Sequence, residues 1–203
     1  MELGLRERKK LKTREDIHAA AMKLFGERGF DDVTVAEIAR AADVSEKTVF
    51  NYFPAKEDLV VERGAERMRE FLDAVRAQPP GGSILDPFRR MTDDFLASLE
   101  TEPVESIVAV PRLVMGSATL RQRLFVGWEQ EANALAPVIA GSLGLREDDF
   151  LAAVMARTLG WTHRMIFRAA YARLLEGEDP ATVADELRVE AARVYDKLAS
   201  GFG

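Results

Sequence analysis

Seven consecutive residues, Ser45-Glu46-Lys47-Thr48-Val49-Phe50-Asn51, hold the most specific hydrogen-bonding chemistry in the chain. On a helix capped by Ser45, Val49, Phe50 and Phe53 can turn toward a core, which leaves Glu46, Lys47, Thr48 and Asn51 outside. An ammonium suits guanine O6 and N7, and an amide suits adenine N6 and N7, so this flank has the composition of a major-groove reader. By themselves these side chains fit a solvated face on any short helix better than a DNA reader. Elsewhere the residue types exclude chemistry. The 203 residues include no cysteine and only two histidines, His18 and His163, which removes thiol catalysis and thiolate metal sites. The chain has no Gly-x-Ser-x-Gly, His-Glu-x-x-His or phosphate-binding glycine loop. The carboxylate pairs Asp93/Asp94 and Asp148/Asp149 are adjacent, about 100° apart on a helix, and converge poorly on one atom. No enzyme activity, catalytic residue, metal site or cofactor is expected.

The elements that must hold the Ser45 segment are helices, and the fold class expected is all-α with about nine of them. Thr34-Val35-Ala36-Glu37 is a capping box for a short helix with Ile38, Ala39 and Ala42 inward. A three-residue turn then leads to the helix capped by Ser45, which ends before Pro54. These are the dimensions of a helix-turn-helix. Ahead of it, a helix from Thr13 to Gly29 presents Ile17, Ala20, Ala21, Leu24 and Phe25 on one side. A fourth helix runs from about Ala55 to Ala77, and residues 78–82 form a loop. Asp86 caps a fifth helix, with Pro87 in its first turn. The sixth covers about 104–115, the seventh 120–142 and the eighth 147–175. Asp179 caps a ninth, whose Val183, Leu187, Ala191, Val194 and Leu198 recur at helical spacing.

Charge is unevenly placed within a net of −6. Residues 1–56 carry 11 Lys and Arg against 10 Asp and Glu, and six of the seven lysines. Arg6, Arg8, Lys9, Lys10, Lys12 and Arg14 form a basic arm, a common footprint of polyanion binding. The acidic remainder confines any nucleic-acid contact to the first part. The longest uncharged stretch, from Ala132 to Leu145, is shorter than the ~20 residues that span a bilayer. The opening residues lack the apolar core of a secretory signal. A cytoplasmic protein without a membrane partner is expected.

The stretch from Thr34 to Leu59 resembles the TetR family of transcriptional regulators nearly position by position, and Ala21-x-x-Leu24-Phe25-x-x-x-Gly29-Phe30 is similar to the family's first helix. The resemblance implies a helix-turn-helix DNA-binding domain at 1–55, with the basic arm, and a helical effector-binding and dimerisation domain at 56–203. It implies a homodimeric repressor on a pseudo-palindromic double-stranded operator, released by a small, largely apolar effector. Carried over by position, Thr34, Ser45, Tyr52 and Lys56 would meet phosphates, and Glu46, Lys47, Thr48 and Asn51 would face bases or the neighbouring backbone. Two positions depart from the pattern. Asp43 stands where glycine is usual in the turn, and Phe50 stands where many members have a phosphate-binding tyrosine. The alternative, from the residues alone, is a helical small-molecule-binding or interaction module without DNA binding.

For an effector pocket, Met68, Phe71, Phe88, Met91, Phe95, Val108, Met115, Phe125 and Trp128 could line a cavity, with Arg112 and His163 among the polar groups that orient a ligand. For any single one of these residues, helical spacing favours filling a core over lining a pocket. Leu120 to Glu129 and Asp179 to Thr182 also resemble an actinobacterial branch that includes the mycofactocin-system regulator. That leaves the effector open between a hydrophobic and an acyl-CoA-like molecule, the latter drawing on Arg121, Arg123, Arg164 and Arg168. The eighth helix is apolar on two sides, one with Leu151, Met155, Thr162, Ile166 and Ala170, the other with Phe150, Val154, Trp161, Met165 and Tyr171. Such a helix needs two partners, its own core and a second subunit.

Overall fold

Helix-forming composition carries the first helix further toward the start than the Thr13 signal predicts. In the computed structural model α1 spans Leu5–Arg28. The structure describes residues 4–78 and 82–202, without the side chains of 62, 63, 65–68 and 202. Leu, Arg, Lys and Glu dominate residues 5–12, and all four are strong helix formers. The Thr13 hydroxyl therefore does not cap but donates to the Lys9 carbonyl at 3.0 Å, inside the helix. The basic arm is thus part of a helix, with Arg6, Arg8, Lys9, Lys10 and Lys12 exposed on its first two turns and Arg14, one turn on, half-buried with its guanidinium 5.3 Å from the Phe53 ring centroid.

The remaining helices are α2 (Val35–Ala41), α3 (Glu46–Tyr52), α4 (Asp58–Arg76), α5 (Asp86–Thr101), α6 (Val104–Gly116), α7 (Ala118–Ser142), α8 (Phe150–Leu175) and α9 (Pro180–Phe202). Nine helices and no strand occur among the described residues. Of the loop expected at 78–82, residues 79–81 lie outside the described residues. Asp86 is the first residue of α5 rather than its cap, a place taken by Leu85. Asp179 does cap α9, accepting from the Thr182 N–H at 3.0 Å.

The chain divides into two compact units, Met1–Gly64 with Arg112–Leu124, and Ala65–Pro111 with Phe125–Gly203. A boundary after residue 55 differs from this in two ways: the first unit keeps the start of α4, and it takes back the end of α6 and the start of α7. Specific contacts account for both. Leu59, Val60, Leu113 and Leu120 are buried. The Ser117 hydroxyl donates to Asp31 at 2.8 Å, and Arg123 pairs with Asp58 at 3.0 Å. None of these partners is close in sequence, so no local pattern announces them.

In the second unit α5, α8 and α9 pack together. One apolar cluster holds Phe71, Phe88, Leu135, Ile139, Met155 and Leu159 with Tyr195; another holds Leu96, Leu99, Val108, Ala170, Leu174 and Val183. One buried polar chain crosses this core. Thr92 Oγ1 lies 3.2 Å from His163 Nδ1 and 2.9 Å from Tyr195 Oη. Each hydroxyl and the ring nitrogen thereby gains a partner, which a buried polar group requires.

Candidate nucleic-acid interface

The turn between α2 and α3 is set by three local features. Val44 N–H bonds to the Ala39 carbonyl at 2.9 Å, closing the chain back on α2. Asp43 takes φ +53°, the one non-glycine residue among those described with positive φ. Aspartate tolerates this conformation better than most residues, so the turn forms without a glycine. Ser45 then caps α3, its hydroxyl accepting from the Thr48 N–H at 3.1 Å and sharing a 2.8 Å bond with the Thr48 hydroxyl.

Val49, 1% exposed, and Phe53, 2% exposed, anchor α3 to the core of the first unit. That fixes the helix's rotation and turns Glu46, Lys47 and Asn51 outward, all exposed, with Thr48 half-buried at the edge. Phe50 corrects the expected inward set. It is 47% exposed and lies on the outward face. A seven-residue helix offers one inward stripe, and Val49 and Phe53 at i and i+4 already fill it. An exposed phenyl on this face suits a thymine methyl or a sugar.

The first turn of α2 is braced from α1. Thr34 N–H and hydroxyl both donate to Glu37 Oε2 at 2.8 Å, and Glu37 N–H donates back to the Thr34 hydroxyl. Arg28 at the end of α1 pairs with Glu37 at 2.7 Å and donates to the Asp32 carbonyl. The Arg28 bond, with help from the Thr34 N–H and hydroxyl, holds the Glu37 carboxyl down at about 2. Thr34 itself is exposed at the helix N-terminus, and Tyr52 is half-buried at the end of α3.

Lys56 sits differently from the other basic residues. Its ammonium donates to the Phe30 carbonyl at 2.6 Å and lies 4.2 Å from the Phe30 ring centroid. Partial burial pushes its pKa below the ordinary lysine value. A lysine tied to the α1–α2 loop positions that loop, whatever its remaining N–H groups meet. Replacing Lys56 with Met is expected to cost about 1 kcal/mol of stability, as for a charged hydrogen bond discounted for its solvent contact. Thermal denaturation beside Lys47→Met, which has no such tie, checks this; equal melting points would remove the positioning role.

The candidates for an effector pocket are not brought to one place. Phe71, Phe88, Met91 and His163 line a common cavity of about 20 Å³ in the second unit. Phe95 stacks on Phe167 at 3.7 Å and, with Val108, belongs to the other apolar cluster. Met115 and Phe125 are exposed, as is Arg112, and Arg112 and Met115 fall in the first unit. Trp128 meets Trp161 edge to face at 5.5 Å. The Met68 side chain lies outside the described residues. His163 is buried against Phe167, and burial, with the Arg164 charge beside it, pushes its pKa down to about 3. Arg121, Arg123, Arg164 and Arg168 do not converge either. Arg121 and Arg123 bond within the first unit, Arg164 pairs with Glu131, and Arg168 is exposed. Of the cavity's two charged walls, Arg164 is a sequence candidate for a phosphorylated ligand, whereas Glu131 carries no distinguishing mark in the sequence beyond its type.

On α8 the inward stripe is Met155, Leu159, His163, Ile166 and Ala170. Leu151, which shares a side with Met155, Ile166 and Ala170 in the sequence pattern, is 51% exposed. The outward side carries Val154, Trp161 and Met165, which line an open apolar groove completed by Leu187 and Val194 of α9. No helix among the described residues is long and apolar enough to cross a membrane.

Residues 17–62 match the family model described as bacterial regulatory proteins, tetR family. Over most of its length the chain is similar to the HTH-type transcriptional regulator TcmR of Streptomyces glaucescens, 29% identical over 199 residues, covering 94% of this chain and 87% of that protein. It is also similar to the putative mycofactocin biosynthesis transcriptional regulator MftR of Mycobacterium tuberculosis, 26% identical over 180 residues and 84% of each chain. Among solved structures, the SmeT–triclosan complex shares the fold with a TM-score of 0.61 at 18% identity, covering 90% of this chain and 91% of that one. TcmR is named as a transcriptional regulator and MftR as a putative one, neither as an enzyme.

Proposed function

The chain belongs, through its N-terminal reader, to the TetR family of bacterial transcriptional regulators, and on that premise we propose that it is a homodimeric repressor of a pseudo-palindromic operator, released by a small, largely apolar effector. The observation that carries this reading is the outward face of α3, where Lys47, Phe50 and Asn51 are exposed while Val49 and Phe53 hold the helix in place. Lys47 and Asn51 read base edges, and Glu46 and Thr48 limit which bases are accepted. The helix starts at Thr34 and Ser45, with Tyr52, take phosphates, and Lys56 keeps the adjoining loop in register. The exposed bases of α1 add non-specific attraction to the duplex. A role on chromosomal DNA places the protein in the cytoplasm.

Dimerisation uses the outward side of α8 with α9, giving an isologous interface and two readers about 34–36 Å apart. The effector enters the second unit. SmeT is solved with triclosan and the Bacillus subtilis FadR with stearoyl-CoA. In this chain the scattered arginines favour an apolar body over a phosphorylated carrier. A cavity of about 20 Å³ must widen to admit any such molecule, and that widening is the difference between states that a ligand needs in order to shift their populations. α4 runs from the first unit into the second, so a shift in its second half is transmitted to the reader.

The test is operator binding against salt. Affinity is expected to fall steeply with ionic strength, by about 0.9 in log K per log salt for each phosphate contacted. Asn51→Ala is expected to relax the choice of base at one operator position, costing about 1–3 kcal/mol there and little on random DNA. Equal losses on operator and random duplex would remove Asn51 from base reading.

A further inference from the structure

Arg164 on α8 and Glu131 on α7 form an ion pair whose side chains are 15% and 23% exposed. Both line the small cavity whose other walls include Phe71, Phe88, Met91 and His163. The guanidinium also lies over the Trp128 ring, 5.0 Å from its centroid. It reaches this place by folding back along its own helix over Gly160, where a Cβ would stand 2.7 Å from Nη1. A carboxylate, an aromatic face and an apolar cavity together form a receptor for a cation with an apolar body. In this structure the protein's own guanidinium fills that receptor.

The two partners are not equally able to leave. Arg164 has a long stem and the open flank of Gly160, so rotation about its own bonds takes the guanidinium into water. Glu131 has a shorter reach and stays on the wall. Burial pushes Glu131 up and Arg164 down, each toward its neutral form, so the pair is held at a cost. His163 is held neutral and adds no charge to the cavity. With Arg164 turned out, the wall keeps a single negative group.

We propose that Arg164 is a built-in stand-in for the cationic head of the effector: a lipophilic cation displaces the guanidinium, pairs with Glu131 beside Trp128, and lays its apolar body against Phe71 and Phe88. This rests on the reading that the second unit receives the effector, and is independent of whether α3 reads DNA. Calorimetric titration of the full chain with tetraphenylphosphonium and with tetraphenylborate, matched in shape and opposite in charge, tests it. The phosphonium is expected to bind more tightly by roughly tenfold or more. Arg164→Met, which removes the competitor, is expected to strengthen phosphonium binding about tenfold, and Glu131→Gln to weaken it at least as much. Gly160→Ala keeps both charges but crowds the guanidinium off its seat; it too should strengthen phosphonium binding, and it decides the matter if Arg164→Met fails to fold. A preference for borate that disappears in Arg164→Met would make this an anion site, and phosphonium affinity indifferent to both Arg164→Met and Gly160→Ala would end the proposal. Operator binding of the unliganded variants is measured in parallel. Phosphonium binding without operator binding sinks the repressor reading alone, and the converse sinks this one alone.

Discussion

Replacing Val154 and Met165 with glutamate is expected to turn the proposed dimer into monomers and to lower operator affinity by about a hundredfold or more. The two residues are 40% and 56% exposed. They lie eleven positions apart, three helical turns, and so share one side of α8. Between them Trp161 continues the row, and Leu187 and Val194 of α9 border the same groove. Two carboxylates on each copy would place four charges in the interface, where unpaired burial costs several kcal/mol per ion. The inward stripe of α8 is untouched, so the monomer should keep its melting behaviour. Light scattering reads the mass, and titration with full and half operators reads the coupling. Half-operator affinity should be unchanged while the advantage of the full operator disappears. A variant that remains dimeric would move the interface elsewhere.

The second large effect is acid lability, centred on His163. Its pKa falls to about 3 in the folded chain because burial, with Arg164 beside it, opposes the charged form. Unfolding restores a value near 6.5, so between these limits the unfolded chain binds the extra proton. The contribution is therefore complete above pH 6.5 and is lost as pH falls toward 3. Denaturant unfolding at pH 4.5 should show about 2–3 kcal/mol less stability than at pH 7 from this one group. His163→Gln should remove most of that slope. Glu37 acts in a lower window. Its carboxyl is held at about 2 by Arg28 and the Thr34 donors, so its contribution is complete above about 4.5 and is lost as pH falls through 2. The two groups stand in different units, so near-neutral acidification should loosen the second unit before the first. If the Gln variant keeps the full slope, another group governs the acid response.

How much of this was legible depended on the range of the interaction. Thr34, Ser45 and Asp179 bond three residues ahead, and such caps are written locally. Helix propensity overrode the weaker signal at Thr13, because eight strong formers precede it. Phe50 was misplaced because apolar character alone does not fix a rotation that Val49 and Phe53 decide together. The pocket candidates scattered because helical spacing says which residues share a stripe, not which stripes meet. The Glu131–Arg164 pair joins positions 33 apart on two helices. Only tertiary packing reveals it.

The passage of the chain between the two units has a practical consequence. It crosses at Gly64, at Pro111 and at Leu124, and each crossing lies within a helix, α4, α6 and α7 respectively. The reader is therefore not a detachable cassette. A fragment ending near residue 64 would lack Ser117 and Arg123, and with them the partners of Asp31 and Asp58. Hybrid regulators made by swapping reader modules should carry the 112–124 segment along, and those spliced at one junction should express as unstable proteins whichever operator they are meant to find.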